Sequence, residues 1–402
     1  MTDASTDASS GTVVDWASDY DIFDPRYIAD PYAVWDSLRD RCPIGHTDRY
    51  GGSWLPTRMA DVTEIARDIE HFSSREITVV PTDADSDVLP AGSPPIQADP
   101  PVHTWTRRLL LPWFSHARVD TYEPYTRALC NRLIDGFADA GTADAAADYA
   151  QQIPVRVIGR ILGVPDDMSD TFTGWVRSIL EFANDEARRV AARDEAVVYF
   201  LGLMEERRGG DGDDLISTLL RSEVDGAQVT DEFIVGMLGL TLIAGADTTW
   251  SALGSSLWHL ATHDDDRARL AADPALVPLA VEEFVRAYSP VTMARIVASD
   301  VVVAGCPMHA GDRVLMNFPG ANRDPEAFPD ADQVVIDREV NRHVAFGAGI
   351  HRCAGSNLAR MELRVGIEEW LQRIPDFRVA EGASVTWAGG QVRGPRSCPV
   401  TF

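Results

Sequence analysis

Lysine is absent, so all 36 fixed cations of the 402-residue chain are arginines. Against 62 carboxylates they leave a formal net charge of -26. Such a surface repels nucleic acid and anionic lipid, which excludes both as general partners. Cysteine is scarce: Cys42, Cys130, Cys306, Cys353 and Cys398 are odd in number and far apart. That spacing excludes a disulfide framework and points to a reducing compartment. No C-x-x-C pair occurs, which rules out the short-spaced ligand sets of zinc sites. Long apolar runs are lacking too. The longest, FIVGMLGLTLIAGA at 233–246, is short for a bilayer and ends at Asp247. The start, MTDASTDASSGTVVDW, has neither the basic nor the apolar segment of a signal peptide. It reads as a loose tail over residues 1–20, and the chain as cytoplasmic.

What is present is a chain with 45% apolar residues, enough for a large core. Without internal repeats or low-complexity linkers, residues 21–402 are expected to form a single domain. Apolar residues recur at three- and four-residue spacing in PYAVWDSLRDRC, YTRALCNRLIDGFADA, YAQQIPVRVIGRILG, DEARRVAARDEAVVYFLGLMEERR and LVPLAVEEFVRAYS, which predicts helices. VVVAGCPMHAGDRVLMNF predicts two short strands joined by a turn, and VTWAGGQVRGPRSCPVTF a terminal hairpin. Residues 78–101 hold too much proline, aspartate and glycine for either element. The fold class is mainly α with small β-sheets (α+β).

One segment is locally costly. HVAFGAGIHRCAGSNLAR, residues 343–360, crowds glycines around a single cysteine and then opens a helical pattern. A lone free cysteine is most often a small buried hydrophobe. Here the helix start, Arg352 and His351 would all favour a thiolate at Cys353. Gly347, Gly349 and Gly355 would let backbone approach a flat, bulky group.

Phe346, Gly349, His351, Cys353 and Gly355 resemble the haem-thiolate loop of the cytochrome P450 family, F-x-x-G-x-[HR]-x-C-x-G. The resemblance implies the cytochrome P450 fold, with haem b (iron protoporphyrin IX) held between a long distal helix and the helix of the cysteine loop. Cys353 would be the iron ligand, and thiolate ligation favours O–O cleavage. Ala244-Gly245-Ala246-Asp247-Thr248 resembles the family's oxygen-activation motif. Asp247 and Thr248 would then be the acid–alcohol pair, Thr248 hydrogen-bonding the oxygen being activated and Asp247 relaying protons from solvent. Locally Gly245 and the two threonines are poor helix formers, which suits either a groove for a small ligand or close helix packing. Glu283 and Arg286 match E-x-x-R, the family's buried structural pair, with Arg338 as its third member. His103 and Arg107 match H-x-x-x-R; with Arg295 and His351 they would hold the haem propionates. ANRDP at 321–325 and FSHARV at 114–119 extend the likeness, which runs from about Phe23 to the end.

Family topology directs Ala244, Val291, Thr292, Gln391 and Val392 to the substrate pocket, under a lid around Ile77, Val79 and Val80. Most are apolar, implying an apolar small molecule of terpenoid, steroid, macrolide or aromatic class. No flavin or nicotinamide fingerprint occurs, so electrons are expected from a ferredoxin and ferredoxin reductase. Arg108, Arg342, Arg352, Arg360 and Arg364 would form the patch on which the acidic ferredoxin docks. The expected function is an O2-dependent, monomeric monooxygenase. A peroxide-driven peroxygenase and a non-catalytic haem sensor or carrier are the alternatives, and the Asp247–Thr248 pair argues against both.

Overall fold

Asp15 caps the first short helix, Trp16–Asp19, by accepting from Ala17 N–H. The structure, a computed structural model, describes residues 12–81, 92–182 and 185–402. Val13 and Tyr20 are buried, and the Tyr20 hydroxyl hydrogen-bonds Ser53 Oγ at 2.5 Å. The loose tail expected over 1–20 is therefore corrected: its described part packs on the fold because it carries apolar anchors. Residues 1–11 lie outside the described residues, as do 82–91 of the long proline-rich loop.

Among the described residues, eleven helices have nine or more residues: α1 (Pro31–Arg41), α2 (Met59–Arg67), α3 (Val102–Leu110), α4 (Glu123–Asp135), α5 (Gln152–Leu162), α6 (Ser169–Leu180), α7 (Glu186–Arg207), α8 (Asp231–Thr262), α9 (Asp264–Ala272), α10 (Val277–Ala287) and α11 (Ser356–Arg373). The strands are β1 (Ile44–Thr47), β2 (Ser53–Pro56), β3 (Phe72–Ser73), β4 (Thr142–Asp144), β5 (Glu223–Val224), β6 (Ala227–Gln228) and β7 (Thr292–Val297). They continue with β8 (Val301–Val303), β9 (Cys306–Met308), β10 (Arg313–Asn317), β11 (Arg378–Val379), β12 (Thr386–Ala388), β13 (Gly394–Ser397) and β14 (Pro399–Thr401). The main sheet runs β1-β2-β10-β7-β3, and β14 lies between β11 and β4. This is a mainly helical fold with small sheets to one side.

Two strand expectations change. Residues 301–317 hold three strands rather than two, because Ala304 and Gly305 both take positive φ and turn β8 back on β9. β10 then leaves for the main sheet, antiparallel to β7. At the C-terminus β12 and β13 do form a hairpin, but β14 belongs to the sheet with β4 and β11.

Helix α8 is the axis of the core. Asp231 and Glu232 sit in its first turn, where the helix dipole favours carboxylates. It runs past Asp247 to Thr262, and by length and composition it could cross a membrane; 61% of its most apolar window is buried inside the fold. Much of it is buried because helices α5 and α11 and the hairpin strand β13 pack against it, leaving Ala244 open mid-helix.

Candidate active site

The cysteine loop is shaped by backbone rather than by side chains. Gly347 and Gly349 adopt φ of 70° and 68°, and a methyl at Gly349 would collide with the carbonyl oxygen of Ala66. Gly347 N–H donates to Val344 O at 2.8 Å, and Cys353 N–H to Phe346 O at 2.8 Å. These turns set Cys353 just before α11, with the Gly355 N–H directed at its sulfur. The Cys353 side chain is exposed although protein closely surrounds it, so the sulfur faces an internal hollow. Burial pushes the thiol up, outweighing the Gly355 N–H and the charges of Arg107, Arg352 and Arg360. The thiolate expected from the helix start, Arg352 and His351 is thus not favoured by the protein by itself.

Behind the loop lies a buried ion-pair cluster. Glu283 accepts two bonds from Arg286, at 2.8 and 2.7 Å, and one from Arg338 at 3.0 Å. Arg286 Nη1 donates to Asn322 O at 2.9 Å, and Asn322 Oδ1 accepts from Val344 N–H at 2.7 Å. The structure therefore brings Glu283, Arg286 and Arg338 together and links them through Asn322 to the start of the loop.

His103 and Arg107 on α3, Arg295 on β7 and His351 in the turn Gly349–His351 also converge. The His103 and His351 rings are 4.3 Å apart, and Nε2 of each is buried without a hydrogen-bond partner among the described residues. Burial, reinforced by the neighbouring cations, lowers both imidazoles, His351 to about 3. In the protein alone they are neutral, so Arg107 and Arg295 are the cations of the set. Arg295 is buried, donates to the Ala294 carbonyl, and has no carboxylate at ion-pair distance among the described residues. Burial brings it down to about 10, opposed by the charge of Asp99.

On α8, Ala244 is exposed amid buried neighbours and Thr248 is half-buried one turn on, donating to the Ala244 carbonyl at 2.8 Å. Asp247 is fully buried beside them. Its Oδ1 meets Arg396 Nη2 at 2.8 Å, while Oδ2 is buried without a hydrogen-bond partner among the described residues. Burial raises this carboxyl to about 6, with Arg396 pulling it back down. Gly245 does not open the helix. A side chain there would collide with Ile158, so its role is close packing of α5.

Comparison with known proteins reads this site. The family model "Cytochrome P450" matches residues 272–381, which hold the Glu283 cluster and the cysteine loop. The chain is 36% identical to a vitamin D(3) 25-hydroxylase of Pseudonocardia autotrophica, over 95% of this chain and 96% of that protein. It is 34% identical to the cytochrome P450 monooxygenase PikC of Streptomyces venezuelae, over 94% and 92%. The chain belongs to the cytochrome P450 family. The solved structure of cytochrome P450 PksS from the Bacillus subtilis 168 bacillaene polyketide synthase superposes with a TM-score of 0.87 at 28% identity, covering 95% of this chain and 99% of that one.

Membership in this monooxygenase family implies a haem-thiolate cofactor, and the residues of this P450 fit one. Two imidazole nitrogens without partners and a buried guanidinium without a carboxylate, among the described residues, suit two propionates. Cys353 and Ala244, both open within enclosed surroundings, suit the two faces of a flat ring.

A cavity of about 140 Å³ adjoins α8. It is lined by Ile77, Val79, Val80 and Gln391 as expected, and by residues not foreseen, including Phe23, Ile96, Ile179, Leu180, Leu240 and Ile243. Ala244, Val291, Thr292 and Val392 are not among its lining residues. Val291 and Val392 instead face each other across a β-bridge, with Thr292 N–H donating to Gln391 O at 3.0 Å.

The expected docking patch also needs correction. Arg360 forms a two-point pair with Glu282, and Arg364 pairs with Glu123 and Glu368, so their charge is already matched by carboxylates of this chain. Sequence proximity to Cys353 hid these partners, which come from α4 and α10 and from α11 itself. Arg108, Arg342 and Arg352 remain exposed, joined by Arg67, which abuts Gly349. Exposed Leu111 and Val340 lie in the same segments.

Proposed function

We propose that this P450 uses O2 to hydroxylate or epoxidise an apolar small molecule, with both electrons supplied by a ferredoxin and its reductase. One observation carries the reading: Thr248 is only half-buried, one turn from exposed Ala244 on α8, and the carboxyl of Asp247 next to it in the chain is fully buried. A haem carrier has no use for a buried, titrating acid beside such a hydroxyl.

Haem b ligated by Cys353 would supply an electron-rich iron at which O2 is activated. Arg107 and Arg295 would neutralise its propionates, and His103 and His351 would hydrogen-bond them. The Gly355 N–H would withdraw charge from the sulfur and so moderate its donation. Thr248 Oγ1, already donating to Ala244 O, keeps lone pairs with which to accept a hydrogen bond from the hollow. Asp247, at about 6, can both take up and release a proton near neutral pH. The mostly apolar lining of the cavity admits an apolar body, and Gln391, with Thr78, Ser93, Gln97 and Arg189 also on the wall, offers polar contacts to a carbonyl or hydroxyl.

The reading is tested by comparing O2 consumption and product formation with a ferredoxin–reductase pair against peroxide alone. Product should require O2 and reductant. Equal turnover with peroxide and none with ferredoxin would sink it. Exposed Arg108, Arg342, Arg352 and Arg67, set in an otherwise acidic molecule, support ferredoxin docking on the cysteine-loop side. Charge reversal at Arg108 and Arg342 should slow the first reduction about tenfold at low salt, with the difference shrinking as salt rises. Stopped-flow reduction under carbon monoxide measures it.

A further inference from the structure

The C-terminal hairpin delivers an arginine to the acid of α8. Arg396 on β13 places Nη2 2.8 Å from Asp247 Oδ1 and Nε 2.6 Å from Glu181 Oε1. Its third nitrogen, Nη1, donates to Ser251 Oγ at 3.0 Å, and the guanidinium lies 5.2 Å from the Trp250 ring centre. All three charged side chains are nearly out of solvent, at 11% exposure for Arg396, 12% for Glu181 and 1% for Asp247. One guanidinium thus serves two carboxylates where water cannot easily compensate either. Glu181 also accepts from Arg177 Nε, at 3.2 and 3.1 Å, and so keeps a second cation that Asp247 lacks among the described residues.

The approach of β13 to α8 depends on glycine. Any side chain at Gly394 would collide with Ser251, and one at Gly254 would meet Pro395. Glu181 immediately follows α6 and closes that helix with its N–H on Arg177 O. The two residues before it, Ile179 and Leu180, line the cavity. The same turn therefore touches the cavity with its apolar side chains and Arg396 with its carboxylate.

We propose that Arg396 is a positioning residue for the proton-delivering acid, and that its division between Asp247 and Glu181 couples proton delivery to filling of the cavity. The inference rests on the reading of Asp247 as that acid. A guanidinium committed to Asp247 holds it as carboxylate; one drawn toward Glu181 leaves it to its buried surroundings, which favour the neutral acid. A substrate pressing on Ile179 and Leu180 moves the turn that carries Glu181 and so changes the division. The groups facing Asp247 are Arg396 from β13, Glu181 after α6 and Ser251 on its own helix, while α5 presents apolar Ile158 alongside. Burial is the largest influence on Asp247, followed by Arg396, which lowers its pKa, and Glu181, which raises it.

The test is an infrared difference titration of the haem-loaded protein, following the carboxyl band that disappears in Asp247→Asn. In the unsubstituted protein its midpoint should lie at about 6. Arg396→Gln should raise the midpoint by about 1–3 units, and Glu181→Gln should lower it by up to about one. Arg396→Lys, which keeps the charge, should stay close to the unsubstituted value and also covers the case in which Arg396→Gln does not fold. Filling the cavity with the apolar haem ligand 4-phenylimidazole should shift the midpoint in the unsubstituted protein but not in Glu181→Gln. Unchanged midpoints in Arg396→Gln and Glu181→Gln overturn the positioning role, as does the absence of any titrating Asp247 band. A midpoint indifferent to 4-phenylimidazole overturns the coupling. Failure of the monooxygenase reading looks different: the titrations behave as stated, yet no O2-dependent product forms.

Discussion

Cys353→Ala should abolish the thiolate-type absorbance of the reduced carbon monoxide complex and take O2-dependent turnover below detection, while the circular dichroism of the protein stays unchanged. The separation is physical. The loop is held by backbone bonds, Gly347 N–H to Val344 O and Cys353 N–H to Phe346 O, which the substitution leaves in place. The sulfur itself faces the hollow rather than filling a core position. Removing it deletes the ligand without opening a packed cavity. Retention of a thiolate-type band in the variant would mean that some other residue holds the iron.

A second large effect is expected at Glu283, far from any reacting atom. Its carboxylate accepts five hydrogen bonds, two from Arg286 and one each from Arg338, Asn341 and the Val335 N–H. Burial alone would raise its pKa, but Arg286 and the other donors outweigh that and hold it below the ordinary glutamate value of 4.5. Glu283→Gln strands the fully buried Arg286 charge and should cost about 3–5 kcal/mol of stability at neutral pH. A depressed carboxylate stabilises the fold above its unfolded-state pKa, and that stability is lost as pH falls through the folded value. The gap between the two proteins should therefore narrow on acidification below 4.5. Denaturant unfolding at neutral and acidic pH measures it. Because Asn322 joins Arg286 to Val344, the variant should also release haem faster. A stability loss within about 0.5 kcal/mol of zero would show that the cluster is not what supports the loop.

The parts of the site legible in the sequence are those where local economy is broken within a few residues. Two positive-φ glycines beside a cysteine, or a glycine and two threonines in the middle of an apolar helix, cost something that only their surroundings can explain. Even so, Gly245 shows the limit: its cost is offset by the approach of Ile158 from α5, a partner 87 residues earlier in the chain. Pairings across the fold were not legible. Arg360 and Arg364 looked free because their carboxylates lie on other elements or one turn further along the same helix. Arg396 looked like one more polar residue of a terminal hairpin, and nothing near it in sequence points to Asp247 or Glu181. The helices of the core were legible from apolar spacing, whereas the split of residues 301–317 into three strands depended on a turn through Ala304, where positive φ is unexpected.

The last stretch of chain has a bearing on how the protein can be handled. Five residues separate Arg396 from Phe402, and among them β14 is paired on both sides, with the Phe402 N–H fixed to Gly141 O at 3.1 Å. A fusion partner, affinity tag or surface tether attached after Phe402 would pull on β14, which follows directly on the strand β13 that carries the guanidinium beside Asp247. Immobilisation through that end should disturb catalysis out of proportion to its distance from the haem pocket, and attachment at the opposite end is the better choice for building a reusable biocatalyst.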